Sequence, residues 1–227
     1  MTKRFVLSSI IFTMMFIAAC VDNSKVNDKS TLPEGKTNTA DTGKAVKIIL
    51  FFGNSLTAGY GLDPAEAFPA LIQEKIDSAG LQYKTVNAGV SGETSAGGNS
   101  RIDWILKQPV DVFVLELGAN DGLRGIPVDE TRKNLQSIID KVKKKYPQAK
   151  LVLAGMQIPP NMGQEYSVKF RNIFPELAKK NNMALVPFLL QNVGGIRELN
   201  QQDGIHPTAA GAKIVAQNVW QVLQGQL

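Results

Sequence analysis

Cysteine and histidine each occur once in the 227 residues, as Cys20 and His206. One cysteine excludes an intrachain disulfide and a cysteine-rich zinc site, and one histidine excludes a site built on several imidazoles. The glycine-rich stretch Gly92 to Gly98 lacks the Gly-Lys-Ser/Thr that a phosphate-binding loop needs. No metal and no organic cofactor is expected. Charge is sparse too: charged residues make up 20% and the formal balance is +5. Without a dense basic stripe interleaved with aromatics, that balance does not point to nucleic acid. Hydrophobic residues, in contrast, reach 44%, enough for a real core. A mainly disordered chain, a collagen-like repeat and a small disulfide-stapled scaffold are excluded.

Lys3 and Arg4 precede Phe5 to Ala19, an uncharged apolar run. It is shorter than the ~20 residues of a membrane-spanning helix and suits the core of a secretory signal. The run ends in Ile17-Ala18-Ala19-Cys20, which resembles the lipobox of bacterial lipoproteins. That resemblance implies a signal peptide over 1–19, cleavage before Cys20 and lipidation of Cys20. The expected location is the bacterial cell envelope, with the chain lipid-anchored to a membrane on its periplasmic or surface face. The other reading is an uncleaved anchor or ordinary secretion with an idle cysteine. Removing 1–19 leaves 23 basic against 20 acidic residues, or +3. From Val21 to about Lys44, Asp, Asn, Ser, Lys, Thr and Gly dominate. Such a segment cannot bury enough to offset its ordering entropy. Residues 20–44 thus read as the lipidated cysteine and a flexible tether of ~24 residues, with an r.m.s. span on the order of 25–30 Å.

The remainder, 45–227, reads as one domain. Apolar runs at 45–52, 81–88, 110–117, 150–155 and 184–188 are expected strands. Helical spacing marks 65–79, 128–146, 165–181 and 207–223, with a short helix end at 102–107 and a glycine-rich loop at 89–98. The last helix is expected to start at Pro207. Near-continuous apolar strands alternating with helices indicate a parallel sheet covered on both faces. The expected fold class is α/β, a three-layer α/β/α sandwich on a flavodoxin-like five-stranded parallel sheet. Ligands in such sheets bind at the carboxyl ends of the strands.

Four polar clusters fall on that rim: Gly53-Asn54-Ser55-Leu56, Asn87-Ala88-Gly89, Gly118-Ala119-Asn120-Asp121 and Asp203-Gly-Ile-His206-Pro. Ser55 can cap a helix, His206 can precede one, and Asp203-Gly204 can simply turn the chain. Together, however, they supply a nucleophile, its base and a carboxylate within one turn of that base. The N–H groups of Ser55 and Gly89 and the Asn120 amide are candidate oxyanion donors. Met156 and Phe170 read as core. The run Lys141, Lys143, Lys144 and Lys145 reads as a solvated helix face.

The quartet Ser55, Gly89, Asn120 and His206, in this order and spacing, resembles the SGNH, or GDSL, hydrolases. Leu115 to Gly125, Gly155 to Ile158 and Asp203 to Gly211 are similar to the thioesterase I / lysophospholipase L1 / arylesterase branch. The resemblance implies a serine esterase that cleaves acyl esters, and thioesters or lysophospholipids, through an acyl-enzyme on Ser55. Leu123 and Ile126, in the loop after Asn120, are the expected acyl-pocket wall. The expected partners are a small acyl ester or lipid and, through Cys20, a membrane; the domain is expected to be a monomer. One departure is Asn54, where the family usually carries aspartate; its NH2 donates where a carboxylate only accepts. Two other readings stay open: a carbohydrate O-acetylesterase on the same fold, and a non-catalytic surface binding module.

Overall fold

The computed structural model describes residues 45–227; the segments read as signal and tether, with Cys20, lie outside the described residues. Five strands, β1 (Lys47–Gly53), β2 (Tyr83–Gly89), β3 (Val112–Glu116), β4 (Lys150–Ala154) and β5 (Ala184–Val186), form one parallel sheet ordered β2-β1-β3-β4-β5. The inner strands are buried on both faces, which is why Ile49 to Phe52 and Val112 to Leu115 read as unbroken apolar runs. Helices α1 (Ser55–Ala58), α2 (Phe68–Ser78), α3 (Ser95–Ile105), α4 (Ala119–Leu123), α5 (Val128–Lys145), α6 (Gln164–Asn181) and α7 (Ala209–Leu223) complete it. Helix α2 packs on α7, while α3 packs on α5 and α5 on α6. The fold class is the one expected.

The order reverses at β1, which lies between β2 and β3, and an open α/β sheet places its crevice there. α1 leaves from the end of β1 and α4 from near the end of β3, so both short helices start in this crevice.

The glycine-rich stretch differs from expectation. Helix α3 begins at Ser95 and carries Gly97 and Gly98 inside it. A local cap and one tertiary contact override the poor helix propensity of glycine. Thr94 caps Gly97 N, and the buried Asp121 carboxylate accepts both Ser95 N, at 2.8 Å, and Ser95 Oγ. Gly98 is needed for contact: a Cβ there would lie 2.4 Å from Leu117 Cδ1 and 3.1 Å from Phe52 Cε1. Strand β5 stops at Val186 because the next residue, Pro187, has no N–H for the ladder. Helix α7 starts at Ala209, two residues after Pro207, capped by Thr208.

Candidate active site

Ser55 is the first residue of α1, separated from the end of β1 by Asn54 alone. Asn54 caps this helix: its Oδ1 accepts from Leu56 N at 2.9 Å. The turn is short because Gly59, at φ 76°, ends the helix after four residues. Ser55 is largely buried, and its Oγ lies 2.8 Å from His206 Nε2. His206 Nδ1 lies 2.6 Å from Asp203 Oδ2. The other oxygen, Asp203 Oδ1, accepts from Ile205 N at 2.9 Å and His206 N at 3.0 Å. Gly204, at φ 70°, lets the chain make this tight turn.

Burial pushes the Asp203 carboxyl up, but the His206 amide, the His206 ring and the Ile205 amide outweigh it. The net result is a carboxyl held down to about 2. An ionised Asp203 accepting from Nδ1–H leaves Nε2 as the basic nitrogen, aimed at Ser55. The structure thus brings Ser55, His206 and Asp203 into one hydrogen-bonded line.

Of the three expected oxyanion donors, two are open. Ser55 N, at the free end of α1, makes no hydrogen bond to the described residues. Asn120 Nδ2 gives one proton to Glu93 O at 3.0 Å, which orients the amide and leaves its second proton without an acceptor among the described residues. Gly89 is different: its N–H donates to Asn87 Oδ1 at 3.0 Å. The glycine is required by packing, since a Cβ would stand 2.3 Å from Ala58 N. Glu93, whose carbonyl orients Asn120, is itself gripped by Arg101 through Nε and Nη2, both at 2.6 Å.

Residues 51–214 match the GDSL-like Lipase/Acylhydrolase family. The chain belongs to that family. Esterase TesA of Pseudomonas aeruginosa is 39% identical over 181 residues, covering 79% of this chain and 89% of the relative. A crystal structure of TesA gives a TM-score of 0.76 over 80% of this chain and 100% of its own. The thioesterase 1/protease 1/lysophospholipase L1 of Escherichia coli K12 is 38% identical over 173 residues, 76% of this chain and 81% of that one. The psychrotrophic esterase EstA from Pseudoalteromonas sp., solved inhibited by monoethylphosphonate, is 34% identical. It has a TM-score of 0.74, covering 79% of this chain and 97% of that one.

In this GDSL-family chain a cavity of about 470 Å³ opens beside the site, walled by Leu56, Leu123, Met156, Ile158, Phe188, Leu190 and Ile205 among others. Leu123 is in the wall, as expected. Ile126 is not. Gly125, at φ 64°, turns the chain there, and the Ile126 carbonyl accepts from Tyr166 Oη at 2.6 Å. Met156, read as core, is buried and lines the cavity at the same time; Phe170 is core. A smaller recess, about 10 Å³, touches Ser55, Tyr60 and His206 and shares Leu56 and Leu190 with the cavity.

Two residues of the site are not singled out by the sequence. Tyr60 lays its ring 4.7 Å from the His206 imidazole, tilted by 41°. Glu116, at the end of β3, is wholly buried beneath the Ser55 turn. Burial pushes its carboxyl up to about 7, against hydrogen bonds from Thr57 and Asn54 that favour the ionised form. The only sequence signal for it is a charged residue at the end of an otherwise apolar strand.

Proposed function

We propose that this protein hydrolyses carboxylic esters of short to medium acyl chains through an acyl-enzyme on Ser55, with thioesters and lysophospholipids as natural substrate classes. The observation that carries the reading is the continuous line Ser55 Oγ–His206–Asp203, at 2.8 and 2.6 Å, beside an apolar cavity. Ser55 Oγ attacks the carbonyl carbon while Nε2 of His206 takes its proton. Ser55 N–H and the Asn120 amide receive the developing oxyanion. His206 then gives the proton to the leaving oxygen or sulfur, and the acyl group stays on Ser55. Water, deprotonated by His206, releases the acid by the same route. Asp203 holds the ring and stabilises the imidazolium.

The cavity supports acyl chains over acetyl groups on sugars. Each methylene buried in it stabilises the complex by about 0.8 kcal/mol, roughly fourfold per carbon. The names of the relatives, esterase and thioesterase/lysophospholipase, support the same substrate range. The deciding experiment is a rate profile on p-nitrophenyl esters from C2 to C16, with Ser55→Ala as control. Rates should rise beyond acetyl, and Ser55→Ala should lose several orders of magnitude of kcat, keeping at most the ~10³–10⁴ over water that survives loss of a triad member. Undiminished hydrolysis by Ser55→Ala would sink the assignment. Inactivity of the wild type on every ester and thioester would favour a binding module.

The lipid anchor is a separate part of the proposal. It is supported by Ile17-Ala18-Ala19-Cys20 and by the polar composition of the segment that follows. One acyl chain binds a membrane with K of only about 10⁴ M⁻¹, so stable attachment requires the multiple acylation that the lipobox resemblance implies. Cys20→Ser should accumulate as unprocessed precursor retaining Met1 to Ala19. An unmodified Cys20 by mass spectrometry, on protein wholly in the soluble fraction, would refute the anchor and leave the esterase standing.

A further inference from the structure

Four donors converge on one buried carboxyl group directly beneath the Ser55 turn. Glu116 Oε1 accepts from Asn54 Nδ2 at 2.7 Å. Glu116 Oε2 accepts from Asn54 N at 3.1 Å, Thr57 N at 3.2 Å and Thr57 Oγ1 at 2.7 Å. Asn54 and Thr57 flank Ser55 and Leu56, so the carboxylate ties both ends of the segment that presents the serine. Gly53 makes room for this: a Cβ would lie 2.1 Å from Thr57 Oγ1 and 2.5 Å from Glu116 Oε2.

The polarity of the contact is fixed at each end. Asn54 uses its oxygen on Leu56 N and its NH2 on Glu116, so its amide has one satisfactory orientation. Asn54 Oδ1 also lies 3.4 Å from Ser55 Oγ. A flipped amide would set NH2 against Leu56 N–H and its oxygen against Glu116 Oε1. A fully ionised carboxylate, which only accepts, satisfies all four donors. The aspartate usual in the family at position 54 would place a second carboxyl against Glu116 Oε1 and require a proton between them.

We propose that Glu116 is a positioning residue for the nucleophile, and that Asn54 and Glu116 form a matched donor–acceptor pair that sets the place of Ser55 Oγ and N–H. The proposal rests on Ser55 being the nucleophile. It makes a prediction that a generic structural role does not. In Glu116→Gln the side-chain oxygen serves the three donors at Oε2, and its NH2 then meets the NH2 of Asn54. In Asn54→Asp two carboxyls meet and share a proton, as the aspartate usual in the family requires. In the double variant Asn54→Asp/Glu116→Gln the polarity is exchanged: the introduced aspartate accepts from the glutamine NH2 and still accepts from Leu56 N. The net charge equals that of the wild type.

The test measures kcat and KM on a p-nitrophenyl ester at pH 8, with thermal unfolding of each variant and Ser55→Ala alongside. Glu116→Gln should lose about 10²-fold in kcat with KM within about threefold, the scale of a misplacement on the order of 1 Å, whereas Asn54→Asp, with its shared proton, should stay within about tenfold of wild type. The double variant should exceed Glu116→Gln and return to within about tenfold of wild type. If Glu116→Gln does not fold, a folded and active double variant is the same rescue. A double variant no better than Glu116→Gln, or a Glu116→Gln protein with wild-type kcat, overturns the pairing while an inactive Ser55→Ala leaves the esterase intact. Wild-type activity in Ser55→Ala would overturn the serine reading itself, and the proposal with it.

Discussion

Asn120 offers its amide with one proton already held by Glu93 O, so the other has a fixed direction before substrate arrives. Preorganised donors of this kind act where charge develops, and a single one is typically worth ~10²–10³ in kcat. Asn120→Ala should show that loss with little change in KM, measured by steady-state kinetics; a rise in KM alone would make Asn120 a ground-state contact. The role expected for Gly89 is the one the geometry alters, because its N–H is held by Asn87 Oδ1. The line from Ser55 to Asp203 was legible in the sequence for a simple reason. His206 is the only imidazole, and Asp203 is close enough in the chain to reach it. Glu116 was not legible as a partner, since nothing local ties position 116 to Asn54, 62 residues earlier. Tyr60 is similar: only the folded turn brings its ring over the imidazole.

Strands and long helices were legible to within a few residues because their burial is written in apolar periodicity. The exceptions are elements whose cause is tertiary. Helix α3 starts at Ser95 because a carboxylate from α4, Asp121, takes the helix's first N–H and the serine hydroxyl. A second helix, α5, adds Thr131 Oγ1 at 3.4 Å to the same carboxylate. Asp121 is fully buried, so replacing it by alanine leaves Ser95 N–H and two hydroxyls without an acceptor and opens a cavity. An orphaned buried donor costs about 1–3 kcal/mol. Asp121→Ala should therefore lower the stability of the domain by roughly 2–4 kcal/mol, seen as a lower urea midpoint at constant slope. It should also lower kcat, since α4 carries Asn120 and the loop before α3 carries Glu93. A midpoint within ~0.5 kcal/mol of wild type would mean that the three elements are held without this carboxylate.

At the scale of the whole molecule, the same carboxyl that holds the nucleophile turn ties global stability to pH. Glu116 has an ordinary value of 4.5 and is pushed up to about 7 by burial, the hydrogen bonds from Thr57 and Asn54 only partly opposing it. The folded state therefore binds this proton more tightly than the unfolded chain. The contribution is fully present below pH 4.5 and is lost as pH rises through about 7, and its integrated size is roughly 3 kcal/mol. Asp203 acts in the opposite sense. Held down from 3.8 to about 2, it adds stability above pH 3.8 that is lost as pH falls through 2. Its side chain is 37% exposed, so solvent screens much of that effect. The Glu116 contribution is thus greatest in acid, whereas an ionised Glu116, accepting from all four donors, prevails above pH 7. A catalytic turn held by a buried charge at the cost of global stability is the expected pattern at a functional site. Urea unfolding in half-unit steps from pH 4.5 to 8 should show wild-type stability falling by up to about 3 kcal/mol more than that of Glu116→Gln. Parallel curves for the two proteins would mean that Glu116 releases its proton over the same pH range in the folded and unfolded chains, so that its burial adds no pH dependence to stability.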